Sequence, residues 1–272
     1  HLSLRRQRQM CIRDSHWLLL IVVLAVNALA NILPINGYNT GQISGFYPNY
    51  FVPAGFTFAI WSIIYLLLIA YSAAFSFYYP KKEKYPDIHA CLEKTYPLYW
   101  LTCLCNAGWI LAWHYLQMFL SVAIMLAFLL LLITIFLRSL PYAVKMTRSQ
   151  RFLLQAPMIV YLGWISVATI ANITAMLVDL KWQGGGISGI QWSILMMLIA
   201  IGLSVYIGYR FKVISYELVV AWALWGIYKG QGSNDAWLSR TALIGSIVLL
   251  CLSAFVLIRS MYKTEMLSVK NT

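Results

Sequence analysis

Apolar residues run through this chain in blocks of about the length a helix needs to cross a bilayer, roughly 20 residues at a rise of about 1.5 Å each. Eight blocks stand out, at residues 16–34, 53–79, 97–115, 118–138, 152–178, 190–209, 212–229 and 240–260. The seventh is the shortest and most polar, because Glu217 falls inside it. The pattern predicts an all-α polytopic membrane protein. Three connections are long enough to matter. Residues 35–52 are uncharged, aromatic and rich in turn formers, a composition that can fold back over the mouth of a helix bundle. Residues 80–96 read as a charged cytoplasmic loop, and 179–189, with Gly184-Gly185-Gly186, as an external turn. Pro53 reads as the start of the second helix, and Pro157 as the start of the fifth or a kink in it.

Composition agrees with the pattern. With 61% hydrophobic and 10% charged residues among 272, the chain has too little charge to clothe a soluble globule. The formal charge of +12 would suggest nucleic acid in a soluble chain, but here the basic residues punctuate apolar runs. They read as topology signals, so the expected partner is the lipid bilayer and not nucleic acid. With the N-terminus inside, all Lys and Arg but Lys181, Lys229 and Arg240 fall on the cytoplasmic side of eight spans. This predicts a multi-pass protein of the cell membrane with both termini cytoplasmic. The Arg-rich start before Trp17 could imitate a signal peptide, yet the apolar run continues to Leu33, so an uncleaved first span is expected. Four segments follow: a basic cytoplasmic N-terminus (1–15), a five-helix membrane unit (16–178), a three-helix extension (179–260) and a cytoplasmic tail (261–272).

Candidate chemistry is sparse. His1, His16, His89 and His114 are scattered in depth, and no metalloprotease helix, paired intramembrane carboxylates or Gly-x-Ser-x-Gly elbow is present. No catalytic set, metal site or required cofactor is expected. The five cysteines, with Cys103 and Cys105 two apart on a helix, read as small hydrophobes and not as a disulfide framework. Polar residues inside spans are more telling, because unpaired amides are costly in hydrocarbon. Asn27 and Asn31 share one helix face, with Asn106 in the third span and Asn172 in the fifth. They suit helix-to-helix hydrogen bonds or a polar patch in a cavity. Trp61, Trp109 and Trp164 lie deep enough either to pack between helices or to face a planar apolar ligand. Glu217 reads as a structural group close to the interface, paired with Lys212 or Arg210, with a proton-coupling role as the alternative. Ser204 and Gly208, and Gly226 and Gly230, allow close helix approach.

Three stretches together resemble the TspO/MBR family of tryptophan-rich sensory proteins: Pro53-Ala54-Gly55-Phe56-Thr57-Phe58-Ala59-Ile60-Trp61-Ser62-Ile63-Ile64-Tyr65, Asn106-Ala107-Gly108-Trp109, and the series from Tyr161 through Trp164, Ala168-Thr169 and Asn172. The resemblance covers about residues 16–178. It implies a compact TspO-like five-helix unit, often dimeric, whose cavity is covered by the loop between the first two helices and takes porphyrins or, in some members, sterols. About three additional transmembrane helices follow it here. By this resemblance Trp61, Tyr65, Asn106, Trp109, Trp164 and Asn172 become ligand-binding candidates, with Tyr38 and Phe46 as loop contacts, and a porphyrin or haem-like molecule becomes the expected ligand. The chain departs from the family pattern at Gly55, at Phe58-Ala59 and at Met176, which removes two aromatic faces and weighs against porphyrin degradation. The leading expectation is a membrane binding or sensory protein for an apolar planar small molecule. A secondary transporter of a small amphipathic compound and a structural membrane component are the alternatives.

Overall fold

The computed structural model describes residues 2–33, 35–231 and 235–269, with side chains for 7–33, 35–231 and 235–258. Ten α-helices occur in order, with no strand among the described residues: α1 (Leu2–Ile32), α2 (Thr40–Ser44), α3 (Ile60–Tyr78), α4 (Pro86–His114), α5 (Met118–Ala143), α6 (Arg148–Leu154), α7 (Ala156–Asp179), α8 (Gly189–Phe211), α9 (Ile214–Gln231) and α10 (Ala236–Val269). The basic side chains of Arg5, Arg6, Arg259, Lys263 and Lys270 lie outside the described residues. The fold is an all-α polytopic membrane fold.

Each of the eight apolar blocks corresponds to a long helix, and among the described residues six stretches are, by length and composition alone, long and apolar enough to cross a membrane: Gln7–Ile32, Gly55–Tyr78, Met118–Ala143, Ala156–Asp179, Gly189–Phe211 and Ala236–Ile258. The helices that fall short, α4 and α9, carry polar side chains on surfaces covered by protein, including Thr102 and Asn106 in α4 and Glu217 in α9. Their polarity serves packing, so hydropathy under-reads them.

Contacts divide the chain into two units, His1–Pro48 with Phe58–Leu180, and Asn49–Thr57 with Lys181–Thr272. In the first unit α4 packs along α5 and α1, α5 along α7, and α3 along α7 and α1. An aromatic layer fills one end: the buried His16 ring stacks between Phe75 and Tyr99, with ring centroids 4.2 Å from each. Beside it Trp17 Nε1 donates to Ser76 Oγ at 2.9 Å. The expected charged loop 80–96 is shorter than it read. α4 starts at Pro86, and the helix continues through Pro97. Lys145 meets Asp87 at 2.7 Å at this end. The fifth block is broken in two. α6 begins with a capping box of Thr147 and Gln150 and ends at Leu154, and Pro157 sits in the first turn of α7, where its missing N–H costs nothing.

In the second unit α8, α9 and α10 pack against one another, and Ser246 Oγ of α10 donates to the Ala221 carbonyl of α9 at 3.0 Å. Residues 49–57 belong to this unit. Ala54 N donates to Gly226 O at 2.9 Å, Trp222 Nε1 to Thr57 O at 3.0 Å, and Gln231 Nε2 to Asn49 O and Val52 O at 3.2 and 3.0 Å. Pro53 therefore does not open the second helix. The backbone there is committed to α9, a tight turn occupies Gly55–Ala59, and α3 starts at Ile60. Gly226 and Gly230 admit this strap where a second helix was expected. A Cβ on Gly226 would overlap the Thr57 side chain, and one on Gly230 would lie 2.7 Å from Ala54 N. Before α8, the glycines at 184–186 all take positive φ, and Trp192 Nε1 closes the turn onto Gly184 O at 2.9 Å.

Candidate functional site

The first unit contains a cavity of about 570 Å³ lined by Leu24, Asn27, Ala28, Asn31 and Ile32 of α1, Thr40 and Gly41 of α2, Phe58, Trp61, Ser62 and Tyr65 at and after the start of α3, and Ile110 of α4. Spacings of three and four residues bring Phe58, Trp61, Ser62 and Tyr65 to one face. Asn27 and Asn31 form the polar strip opposite in chemistry to that aromatic wall.

Trp61 is the hub of the wall. Its ring stacks near Tyr65 and Trp109, with centroids 5.7 and 6.0 Å away, and meets Tyr161 and Trp164 edge-on at 6.1 Å. Such offset and edge-to-face pairs satisfy the ring quadrupoles and hold the indole plane fixed. Trp164 in turn meets Phe58 edge-on at 6.2 Å, and its buried Nε1 has no hydrogen-bond partner.

A chain of amides lies behind the rings. Asn27 Nδ2 donates to Asn106 Oδ1 at 2.6 Å and to Val23 O at 2.9 Å, and Asn106 Nδ2 donates to the Tyr161 hydroxyl at 2.7 Å. Asn27 thus uses both of its N–H groups inside the protein. Tyr65 buries its hydroxyl beside Asn106 without a hydrogen-bond partner. Farther along, Trp109 Nε1 donates to Asn172 Oδ1 at 3.1 Å and Asn172 Nδ2 to Ser121 Oγ at 2.9 Å.

Of the candidates read from sequence, Trp61 and Tyr65 line the cavity. Asn106, Trp109, Trp164 and Asn172 form the layer that supports them. The loop contributes differently from expectation: Tyr38 and Phe46 pair with each other at 4.8 Å, about half exposed, outside the lining, and Thr40 and Gly41 take the place at the cavity. Asn27 and Asn31, read from sequence as packing amides or a polar cavity patch, line the cavity, and the position of Ser62 on the Trp61 face was the available signal for a lining residue not among the candidates. Nothing in the loop sequence singles out Thr40.

The loop is fastened from α4. His114 Nδ1 lies 3.0 Å from Ile35 O and Nε2 lies 3.1 Å from Thr40 Oγ1, while Asn36 Nδ2 donates to His114 O and Trp113 Nε1 to Thr40 O. Because Ile35 O can only accept, the arrangement suits the tautomer with its proton on Nδ1. A capping box of Asn39 and Gln42 shapes α2 within the loop. Replacing His114 with Ala is expected to speed amide hydrogen exchange over residues 35–44 about tenfold, the equivalent of one or two net hydrogen bonds. Unchanged exchange there would show that the ring is not what holds the loop.

A family model described as TSPO-like protein matches residues 13–255, well over half of the chain. The chain belongs to the TSPO-like family. The match runs past the five-helix stretch of the sequence resemblance and includes most of the last three helices, so membership in the TSPO-like family embraces both units. No curated protein and no solved structure matches the chain.

Proposed function

We propose that this TSPO-like membrane protein binds an apolar planar small molecule, such as a porphyrin, in the cavity of its first unit. The observation that carries the reading is the joining of a fixed Trp61–Tyr65 aromatic wall to an Asn27–Asn31 polar strip around about 570 Å³. That volume falls within the roughly 300–1,000 Å³ of small-molecule pockets. A flat ring would stack on Trp61 while its polar edge reaches the asparagines. The lining offers no His, Cys or Met, and the Tyr65 hydroxyl is buried, so a porphyrin would be held by its faces and edge and not through a bond to a central iron. Binding would act as a signal by favouring one of two helix packings over the other.

The placement of Lys and Arg supports a multi-pass orientation in the cell membrane with both termini cytoplasmic. Titration of the detergent-purified, monodisperse protein with protoporphyrin, following Trp fluorescence and ligand absorbance together, tests the binding reading. Saturable quenching with a matching absorbance change supports it, and a linear, unsaturable response counts against it. Loading the protein into vesicles separates binding from the transporter alternative, which requires saturable accumulation of the solute inside.

A further inference from the structure

Glu217 is unused by this reading. It stands in the first turn of α9 and is 2% exposed. The expected partners do not reach it: Arg210 and Lys212 are near in sequence, yet no ion pair among the described residues includes Glu217. Instead, its Oε2 accepts a hydrogen bond from Ser253 Oγ of α10 at 2.9 Å. Its other oxygen rests against the Cα of Gly208 on α8, where any Cβ would overlap the carboxyl group. Three helices thus form a slot for one carboxyl, with a bare glycine as one wall and a hydroxyl as the other. One turn from Gly208 on the same face of α8, Ser204 Oγ is buried without a partner.

Among the described residues no basic side chain pairs with it. On α8, Tyr206, Tyr209 and Arg210 are exposed, and on α10 Cys251 is exposed and Arg240 lies several turns away. Tyr216 flanks Glu217 on α9, and Lys212 caps the end of α8. A buried carboxyl with one hydroxyl partner and no cation is inexpensive only while it carries a proton. On losing the proton it must move or gain a counter-ion.

We propose that Glu217 is a proton-exchange site: the carboxyl holds a proton in the slot between Gly208 and Ser253, and releases it to water as α9 loosens from α8 and α10. The site is separate from the ligand cavity and does not depend on it. Infrared difference spectroscopy of the full chain in lipid vesicles, stepped from about pH 4, near the ordinary carboxylate value, up to about pH 9, provides the test. The expected result is a carboxylic C=O band that disappears sigmoidally with rising pH and is absent from folded Glu217→Gln protein. Ser253→Ala, which removes the hydroxyl partner and keeps the carboxyl, should move both the band frequency and the midpoint. Superimposable spectra of the wild-type and Glu217→Gln proteins would overturn the proposal. So would a Glu217 band that does not respond to pH, or, where Glu217→Gln does not fold, a midpoint unmoved by Ser253→Ala.

Discussion

Replacing Trp61 with Leu is expected to weaken binding of a planar aromatic ligand about tenfold or more. The change removes one stacking face from the cavity and also frees Tyr65, Trp109, Tyr161 and Trp164 from the ring that all four contact. Each aromatic pair contributes about 0.5–1.5 kcal/mol beyond its buried area, and a tenfold change in affinity is about 1.4 kcal/mol. Trp164→Leu should act in the same direction through the support it gives Trp61. Trp237→Leu, at a side chain 72% exposed on α10, should leave affinity unchanged. Titrations of the three variants, each checked for an unaltered helical spectrum, decide the matter. Equal affinities for Trp61→Leu and Trp237→Leu would remove Trp61 from the binding wall.

The largest stability effect is expected at Gly230. A side chain there would meet backbone atoms of the strap, with a Cβ 2.7 Å from Ala54 N, 3.1 Å from Pro53 C and 3.2 Å from Val52 O. Backbone cannot rotate aside as a flexible side chain can. Gly230→Val should therefore cost about 1–3 kcal/mol from overpacking, with about 1 kcal/mol more for each neighbouring strap hydrogen bond that is lost. Gly202 provides the contrast, since a Cβ on it meets nothing within 4 Å. Gly202→Ala should be neutral or stabilising by up to about 1 kcal/mol through helix propensity. Thermal melts in one detergent compare the two. A Gly230→Val protein as stable as Gly202→Ala would mean that the strap does not pack tightly on α9.

The contrast between these glycines also shows what the sequence could and could not reveal. Long apolar runs announced the helices because burial in lipid or protein demands them. The beginning of α3 was hidden because its cause is remote: the amide of Ala54 is taken by the carbonyl of Gly226, far along the chain. The first turns of α4 were masked by Glu93, Lys94 and Pro97, which suggest a loop locally, although the helix runs through them. In the site, Trp61 and Tyr65 were legible from a patterned segment. Thr40 was not, because its place at the cavity is decided by His114 and Trp113 on another helix. Asn106 was legible as a costly polar group in a span, but its partners Asn27 and Tyr161 emerge only from the packing of α1, α4 and α7.

Glu217 teaches the complementary lesson. Proximity in sequence suggested Lys212 or Arg210 as its partner, whereas helix packing brings Ser253 from α10 and the bare face of Gly208. A charge that seems paired along the chain has no ion-pair partner among the described residues.

The proposed ligand site is the aromatic and amide cavity of the first unit. The most direct test is photo-crosslinking of the membrane-embedded protein with a planar aromatic probe carrying a diazirine, with the adducts located by mass spectrometry and competed by protoporphyrin. Competed adducts are expected on residues 24–32, 40–41, 58–65 and at Ile110, the segments that line the cavity. Competed adducts confined to residues 189–258, or labelling that protoporphyrin does not reduce, would contradict it.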